Sequence, residues 1–258
     1  MLLCLDIGNS HLCGGVFKNN ELLIQFRYSS KHIGTSDEVG IFILNVLREN
    51  KINPKLITKI GIASVVPSND YSVRAACIKY LKIIPQFLSP CENIAGIKVK
   101  TDRPEQTGAD LIASAIAAKT LYPKQHILVF DFGTATTCCY INDKAEFIGA
   151  TITPGIRLMM ESLSNNAAKL FSVELLKPTE IIGRDTSSAI QSGIYYAQIG
   201  LVYQLIHGAL ANYNLPERPI VIGTGGYSGM FASEKLFDLV IPELVLIGVK
   251  HMLELSPT

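Results

Sequence analysis

One short phrase, an apolar run that ends in Asp-x-Gly, occurs twice in this chain and constrains its fold more than any other feature. Residues 2–10 read LLCLDIGNS, and residues 127–137 read ILVFDFGTATT. In each copy a glycine comes two residues after the aspartate, Asp6 or Asp131, and small hydroxyl or amide residues follow. A second apolar run then leads away from the turn. Each copy therefore predicts a β-hairpin whose tip carries a carboxylate.

The chemistry of such a tip indicates nucleotide binding. Glycine lets the backbone approach a ligand closely, and the N–H groups of a tight turn can hold phosphate oxygens. A carboxylate beside those oxygens suits a metal ion or its water ligands. A single Asp-x-Gly is also a common plain turn. Two matched copies favour two related domains whose tips face one nucleotide-binding cleft.

The composition bounds the class of protein. A chain of 258 residues, 48% hydrophobic and 17% charged, can bury one large core or two modest ones. The formal net charge is +1, and the absence of long like-charge runs disfavours nucleic-acid and membrane-surface partners. The sequence has no signal-peptide pattern, no apolar stretch of about 18 residues and no zinc-type Cys/His spacing. We therefore expect a soluble, cytoplasmic protein without a transition-metal site.

The order of predicted elements repeats along the chain. After the strand of the first hairpin, the first half is predicted to contain strands at 11–17, 22–28 and 60–66 and helices at 35–47, 70–81 and 111–121. The second half is predicted to contain strands at 126–132, 136–141, 146–152 and 220–222 and helices at 155–171, 186–211 and 242–255. This order predicts two domains, 1–121 and 122–258.

Three further segments are candidate ligand sites, and each also has a plain structural interpretation. Gly225 and Gly226 follow a predicted strand, which is typical of a surface for a flat ring or a phosphate, or of an ordinary loop. Their surroundings match neither a Walker A nor a Rossmann pattern. Asp110 precedes helix 111–121, where its carboxylate suits the helix dipole or a base that accepts a proton from a hydroxyl. Thr186 is either a helix N-cap or a ligand contact.

Together these phrases resemble the ASKHA superfamily, which includes acetate and sugar kinases, Hsc70 and actin. More narrowly, they resemble type III pantothenate kinases. The resemblance covers the whole chain, in order, at residues 6–10, 108–110, 131–136, 149–155, 186, 192–193 and 223–226. It implies an α/β fold of two ribonuclease-H-like, actin-like ATPase domains with a cleft between them. It also implies a homodimeric enzyme that uses ATP with Mg²⁺, and K⁺ or NH₄⁺, to phosphorylate the terminal hydroxyl of pantothenate in the first step of coenzyme A biosynthesis.

The resemblance assigns a role to each group of residues. It implies that Asp110 is the catalytic base and that Asp131 holds the monovalent cation. Nucleotide binding is assigned to Asp6, Ile7, Gly8, Asn9, Ser10, His11, Leu12, Cys13, Thr134, Gly225 and Gly226. Pantothenate binding is assigned to Thr101, Gly108, Ala109, Asp110, Leu111 and Thr186. The resemblance implies that Thr186 reaches this pocket from the partner subunit.

Two residues of the expected substrate pocket depart from the family pattern. The family motif continues Gly-Ala-Asp-Arg, whereas this chain has Leu111, and the family tends to have Tyr where this chain has Thr101. An arginine could pair with the carboxylate of pantothenate, and leucine cannot. Two alternatives therefore stay open beside the leading prediction. One is a nucleotide-binding regulatory protein, similar to accessory factors of this family, and the other is a kinase for another small hydroxy acid.

Overall fold

The computed structural model of the chain describes residues 1–255, which form two compact units. The first unit comprises Met1–Leu121, Ala145–Phe147 and the last described helix, and the second comprises Tyr122–Lys144 and Ile148–Glu243. One division of the chain thus falls between Leu121 and Tyr122. The compact units differ from the predicted domains 1–121 and 122–258 because Ala145–Phe147 and the C-terminal helix belong to the first unit.

A five-stranded mixed sheet forms the centre of the first unit. Its strands are β1 (Leu2–Ile7), β2 (His11–Lys18), β3 (Glu21–Ser29), β4 (Lys59–Ser64) and β5 (Gln86–Phe87). The order across the sheet is β3-β2-β1-β4-β5. β2 is antiparallel to β1 and β3, while β4 is parallel to β1 and β5. Two further short strands, β6 (Asn93–Ile94) and β7 (Ile97–Val99), form a small antiparallel pair.

Three helices of the first unit precede the second unit in the chain: α1 (Ser36–Glu49), α2 (Pro67–Ala76) and α3 (Ala109–Leu121). The predicted capping box of α1 is confirmed, because Glu38 N donates to Thr35 Oγ1 at 3.3 Å and Thr35 N donates to Glu38 Oε2 at 2.9 Å. α2 begins three residues before the predicted start of 70, because Pro67 suits the first turn of a helix. It continues as a π-helical turn, Cys77–Leu81.

The second unit repeats the sheet of the first. Its strands are β8 (Ile127–Phe132), β9 (Ala135–Ile141), β10 (Glu146–Pro154), β11 (Ile220–Thr224) and β12 (Leu239–Val240). Their order is β12-β11-β8-β9-β10, and β7 pairs in parallel with Glu146 and Phe147, the residues of β10 that belong to the first unit. The second hairpin, β8 with β9, thus takes the place of β1 with β2, and β11 is parallel to β8 as β4 is to β1. The predicted internal repeat is confirmed at the level of sheet topology.

Helices α4 (Ile156–Asn166) and α5 (Thr186–Asn212) belong to the second unit, and α6 (Leu244–Leu255) to the first. α4 ends short of the predicted 171, after Ser and Asn residues of low helix propensity. α6 packs against α3, β1 and β4. A Cβ at Gly248 of α6 would overlap the backbone of Ala113 in α3, so glycine allows the two helices to cross closely.

Each sheet carries its own apolar core. In the first unit, buried residues of β1 and β4 pack with α1 and α2, including Leu5, Ile43 and Val73. In the second, Phe130 and Phe132 of β8 share one core cluster with Tyr195 of α5, and the ring of Phe231 contacts the rings of both Phe132 and Tyr195. Among residues 1–255, no helix is both long and apolar enough to cross a membrane.

Candidate nucleotide and substrate site

The first predicted hairpin is confirmed, and its tip follows the carboxyl end of β1. Gly8 N donates to the carbonyl oxygen of His11 at 3.0 Å, which closes a four-residue turn. A Cβ at Gly8 would lie 3.3 Å from the same oxygen, so a larger residue would press on this turn. Asp6 is half-buried and pairs with Cys13 across the hairpin, whereas Asn9 at the tip is exposed. The backbone of the turn is thus accessible to an anionic ligand beside a carboxylate.

Asp110 lies in the first turn of α3, in the same unit as the first hairpin. Its Oδ1 accepts a hydrogen bond from Leu111 N at 2.7 Å. Burial raises the pKa of the Asp110 carboxyl, and the N–H group of Leu111 partly opposes this shift. The carboxyl oxygen also occupies the space that a Cβ at Gly108 would need. Gly108 therefore allows Asp110 its position, which explains why glycine comes two residues before this carboxylate.

Thr101 and Leu111, the two positions that depart from the family pattern, lie close to this helix start. The hydroxyl of Thr101 is 3.2 Å from that of Thr107, the residue before Gly108. Leu111 is buried, with 9% of its surface exposed. Thr101 therefore brings a polar group to the loop before α3, while Leu111 is part of the packed interior.

The second predicted hairpin is also confirmed, and its turn is shorter. Gly133 N donates to the carbonyl oxygen of Ala135 at 3.0 Å, and Phe132 pairs with Thr136 across the turn. Asp131 is half-buried at the end of β8 and pairs with Thr137. Thr134 lies at the tip between these residues. The carboxylate and the turn hydroxyl are thus presented at one end of the sheet.

The glycine-rich segment after β11 lies directly against Asp131. Gly225 has a φ of +87°, a left-handed conformation that favours glycine. A Cβ at this residue would overlap Oδ1 of Asp131 and lie 2.7 Å from Phe132 N. Gly226 is exposed. The structure therefore brings Gly225, which was predicted to bind the nucleotide, against Asp131, which was predicted to hold the monovalent cation.

One contact at this site was not predicted. Gly155, the N-cap residue of α4, donates its N–H to the carbonyl oxygen of Thr134 at 3.1 Å. A Cβ at Gly155 would overlap Gly133 O and lie 2.5 Å from Thr134 O. The segment 149–155 was part of the family resemblance, but no role was predicted for Gly155. Gly155 directly follows the long strand β10, and this position in the sequence was the signal that it contacts the turn of the second hairpin.

Thr186 is the first residue of α5 but not its N-cap, so the capping interpretation of Thr186 was wrong. Asp185 caps the helix, because its Oδ1 accepts a hydrogen bond from Ser188 N at 2.9 Å. Thr186 is exposed. A cavity of about 320 Å³ lies beside this helix start, and its lining includes Asp185 and the ion pair of Arg184 with Glu180 at 2.9 Å.

The carboxylate and hydroxyl oxygens of these segments are suited to bind hard cations that are also coordinated by a bound ligand. Among residues 1–255, no group of three or more His, Cys, Asp or Glu side chains could hold a metal ion. Mg²⁺ needs no such group, because proteins usually bind it through one or two carboxylates together with phosphates and water. Near Asp131, the hydroxyl of Thr137 is buried without a hydrogen-bond partner. A carboxylate and such a hydroxyl are suitable oxygen donors for a monovalent cation.

Solved structures of other proteins define the fold class of the chain. The chain is similar to a Campylobacter jejuni protein described as a conserved member of the Baf family of transcriptional activators, with a TM-score of 0.58, 21% identity and coverage of 98% and 97% of the two chains. It is also similar to component A of (R)-2-hydroxyglutaryl-CoA dehydratase from Acidaminococcus fermentans, with a TM-score of 0.50, 13% identity and coverage of 97% and 96%. The chain shares the fold of these proteins, and its two repeated mixed sheets agree with the predicted α/β fold of two ribonuclease-H-like, actin-like domains.

Sequence comparison then narrows the class to one family. A family model described as type III pantothenate kinase matches residues 2–208. A type III pantothenate kinase of Legionella pneumophila strain Corby is 46% identical over 250 residues, which cover 97% of each chain. Type III pantothenate kinase 1 of Francisella tularensis subsp. holarctica strain OSU18 is 41% identical over 256 residues, which cover 99% of this chain and 100% of that one. The chain belongs to the type III pantothenate kinase family, and the predicted resemblance is confirmed.

Proposed function

We propose that this protein is an ATP-dependent kinase that phosphorylates the terminal hydroxyl of pantothenate, the first step of coenzyme A biosynthesis. Family membership supports the reaction. The single structural observation that carries the proposal is Asp110, a half-buried carboxylate with a raised pKa at the start of α3. Such a group is suited to accept the proton of an alcohol.

In this proposal the nucleotide is bound by backbone and carboxylate groups of both hairpins. The turn after Asp6 contributes N–H groups to the phosphates, and Thr134 contributes a second phosphate contact. Gly225 and Gly226 leave space for the nucleotide to lie against the end of β11. Magnesium, when bound with ATP, neutralises charge on the phosphates. The protein residues then hold the reacting groups in line and exclude competing orientations.

Asp110 acts as the base in this proposal. The substrate hydroxyl donates a hydrogen bond to the Asp110 carboxylate, which takes the proton as the hydroxyl oxygen bonds to the γ-phosphorus of ATP and the bond from that phosphorus to the ADP oxygen breaks, so that ADP leaves. Phosphoryl transfer depends more on positioning than on proton removal, so the orientation of the carboxylate matters as much as its basicity. The Leu111 N–H group and the cleared space at Gly108 fix that orientation.

We further propose that Asp131 holds a monovalent cation, K⁺ or NH₄⁺, with the Thr137 hydroxyl as an additional donor. The buried, unpartnered hydroxyl of Thr137 supports this assignment.

We also propose a homodimer in which Thr186 contributes to the partner's substrate pocket. Near Thr186, Ile181 and Ile182 are 65% and 74% exposed, as expected of a surface that becomes covered. Sedimentation would detect the dimer.

The decisive experiment measures ADP release with MgATP and K⁺ against a panel of small hydroxy acids that includes pantothenate. We expect turnover with pantothenate, and Asp110→Asn should lower kcat by roughly 10²–10⁴, the usual contribution of general-base catalysis. Gly108→Ala should displace the same carboxylate and lower kcat by about 10²-fold. In both variants the Kd for MgATP should stay unchanged. Turnover with a different acid alone would contradict the substrate assignment.

A nucleotide-binding regulatory role is the second candidate function, and Leu111 favours it. The buried leucine offers no charge for a carboxylate substrate. If wild-type protein binds MgATP but turns over no hydroxy acid, the regulatory role replaces the enzymatic one. Leu111→Arg tests the cause, because a restored guanidinium should lower the KM for pantothenate if the missing charge limits recognition.

A further inference from the structure

The first hairpin is supported from behind by side chains that no motif of the family resemblance includes. Its four-residue turn, 8–11, extends beyond the ordered pairing of β1 and β2. A phosphate-binding turn must hold its N–H groups within about 0.5 Å of the productive geometry. The backbone hydrogen bonds of the hairpin alone do not fix the turn relative to the rest of the sheet.

One support reaches the β1 side of the turn through β4. Val65 N donates to the carbonyl oxygen of Ile7 at 3.0 Å, and Ser64 is paired with Ile7 in the parallel register. The Ser64 hydroxyl donates to Oδ1 of Asp70 at 2.5 Å and accepts from Val66 N at 3.2 Å. Asp70 thus fixes the segment that holds the last residue of β1.

A second support reaches the other side of the turn through the end of β3. Ser30 N donates to the carbonyl oxygen of Ser10 at 3.0 Å. The carbonyl oxygen of Ser30 accepts in turn from Nδ2 of Asn69 at 3.1 Å, and Asn69 is buried. The Ser30 hydroxyl itself is buried without a hydrogen-bond partner, so this support uses the backbone of Ser30.

Two consecutive residues in the first half of α2, Asn69 and Asp70, therefore hold both sides of one turn. We propose that this pair, the α2 brace, is a positioning element for the phosphates of the bound nucleotide. The inference rests on the proposed function, because it requires that the turn at 8–11 binds phosphate. Neither residue needs to touch the nucleotide. Each acts through one backbone carbonyl oxygen of the hairpin, at Ile7 or at Ser10.

The test separates phosphate positioning from a general structural role. Affinities for MgATP and for adenosine are measured by calorimetry in wild-type protein, Asn69→Asp and Asp70→Ala. Asn69→Asp keeps the size of the side chain but replaces the donor by an oxygen that repels Ser30 O. We expect each variant to bind MgATP up to about tenfold more weakly, the effect of one net hydrogen bond. Adenosine affinity and the KM for pantothenate should be unchanged, because neither depends on the phosphate turn.

The matched control is Ser72→Ala on the same helix. The Ser72 hydroxyl donates to the carbonyl oxygen of Gly34 at 2.8 Å, so its loss removes a similar hydrogen bond away from the hairpin. If Asp70→Ala does not fold, Ser64→Ala removes the same hydrogen bond from the strand side. An unchanged ratio of MgATP to adenosine affinity in the brace variants, as in the control, would overturn the inference while the proposed function stands. A wild-type protein that binds no MgATP would overturn the proposed function and the inference with it.

Discussion

The two Asp-x-Gly hairpins have equivalent places in their sheets but are held by different means. The turn at 8–11 has four residues and is supported by side-chain hydrogen bonds from the α2 brace. The turn at 133–135 has three residues and is supported by two close glycines, Gly155 and Gly225. The first turn is held by polar side chains, which can shift slightly, whereas the second is held by backbone atoms packed against backbone atoms.

This difference shows that a repeated motif does not imply a repeated sensitivity to substitution. Each net hydrogen bond of a polar brace contributes about 0.5–1.5 kcal/mol, and a neighbouring group can partly replace it. A glycine that contacts backbone atoms allows no such adjustment, since interiors are packed to crystal density. Side-chain substitutions should therefore tune the first turn, while added carbon atoms should disrupt the second.

The largest contrast is expected from the same substitution in the two turns. Gly155→Ala would drive a Cβ into Gly133 O and Thr134 O, and should destabilise the protein by about 1–3 kcal/mol. Gly8→Ala meets only His11 O at 3.3 Å and should cost less than about 1 kcal/mol. Thermal unfolding of both variants measures the contrast. Equal losses of stability would break the comparison between the two turns.

Substitutions of the two hairpin carboxylates, Asp6 and Asp131, should have different effects on binding and activity. If Asp6 lies beside the ATP phosphates and their magnesium, as proposed, Asp6→Asn removes a charge there and should weaken MgATP binding by about 10- to 100-fold, the effect of a hydrogen bond to a charged group. Asp131→Asn should instead remove the activation by K⁺ relative to Na⁺. Binding titrations and turnover in the two salts distinguish these effects. A K⁺ requirement that survives in Asp131→Asn would contradict the cation assignment.

Asp110 provides a third carboxylate whose effect depends on pH. Because its pKa is raised above the ordinary 3.8, the folded state binds its proton more tightly than the unfolded state. Stability is therefore lost as pH rises through the folded-state pKa. Asp110→Asn should be more stable than wild-type protein at neutral pH, and this advantage should vanish below pH 3.8. Urea unfolding at both pH values tests the sign.

The smallest effects are expected from buried hydroxyls behind the two hairpins. Ser30 Oγ and Thr136 Oγ1 have no hydrogen-bond partner. Removing an unsatisfied buried hydroxyl costs nothing in hydrogen bonding, so Ser30→Ala and Thr136→Val should change stability by no more than about 0.5 kcal/mol. Chemical denaturation is sensitive enough to test this. A large loss in Ser30→Ala would mean that its side chain, and not only its backbone, supports the first turn.

Strong local patterns made much of the fold predictable. The apolar runs and the turn glycines predicted both hairpins, and Thr35 with Glu38 predicted the start of α1. The two-residue strands β5, β6 and β12 were not predicted, because two residues carry no periodicity. The predicted helical segment 70–81 ends where the π-helical turn Cys77–Leu81 ends, whereas its start lies three residues earlier, at Pro67.

The sequence predicted those residues of the candidate site that belong to a local turn motif. It did not predict contacts between segments that are far apart in the sequence. Asp131 and Gly225 were both singled out, but their contact depends on the parallel pairing of β11 with β8. The α2 brace was missed because Asn69 and Ser30 are 39 residues apart and neither belongs to a recognisable motif. Hydrogen bonds between segments leave no signature in local sequence.

The position of α6 has a consequence for synthesis of the protein. This helix belongs to the first unit in space, but the ribosome makes it after the whole second unit. Until residues 244–255 emerge, Gly61 of β4 lacks its neighbours Val249 and Leu253, and Ala113 of α3 lacks the close approach of Gly248. Domains made earlier fold as units during translation, so the second unit is finished before the first. The helix that carries Asp110 thus acquires its full support only after the second unit and residues 244–255 have been made.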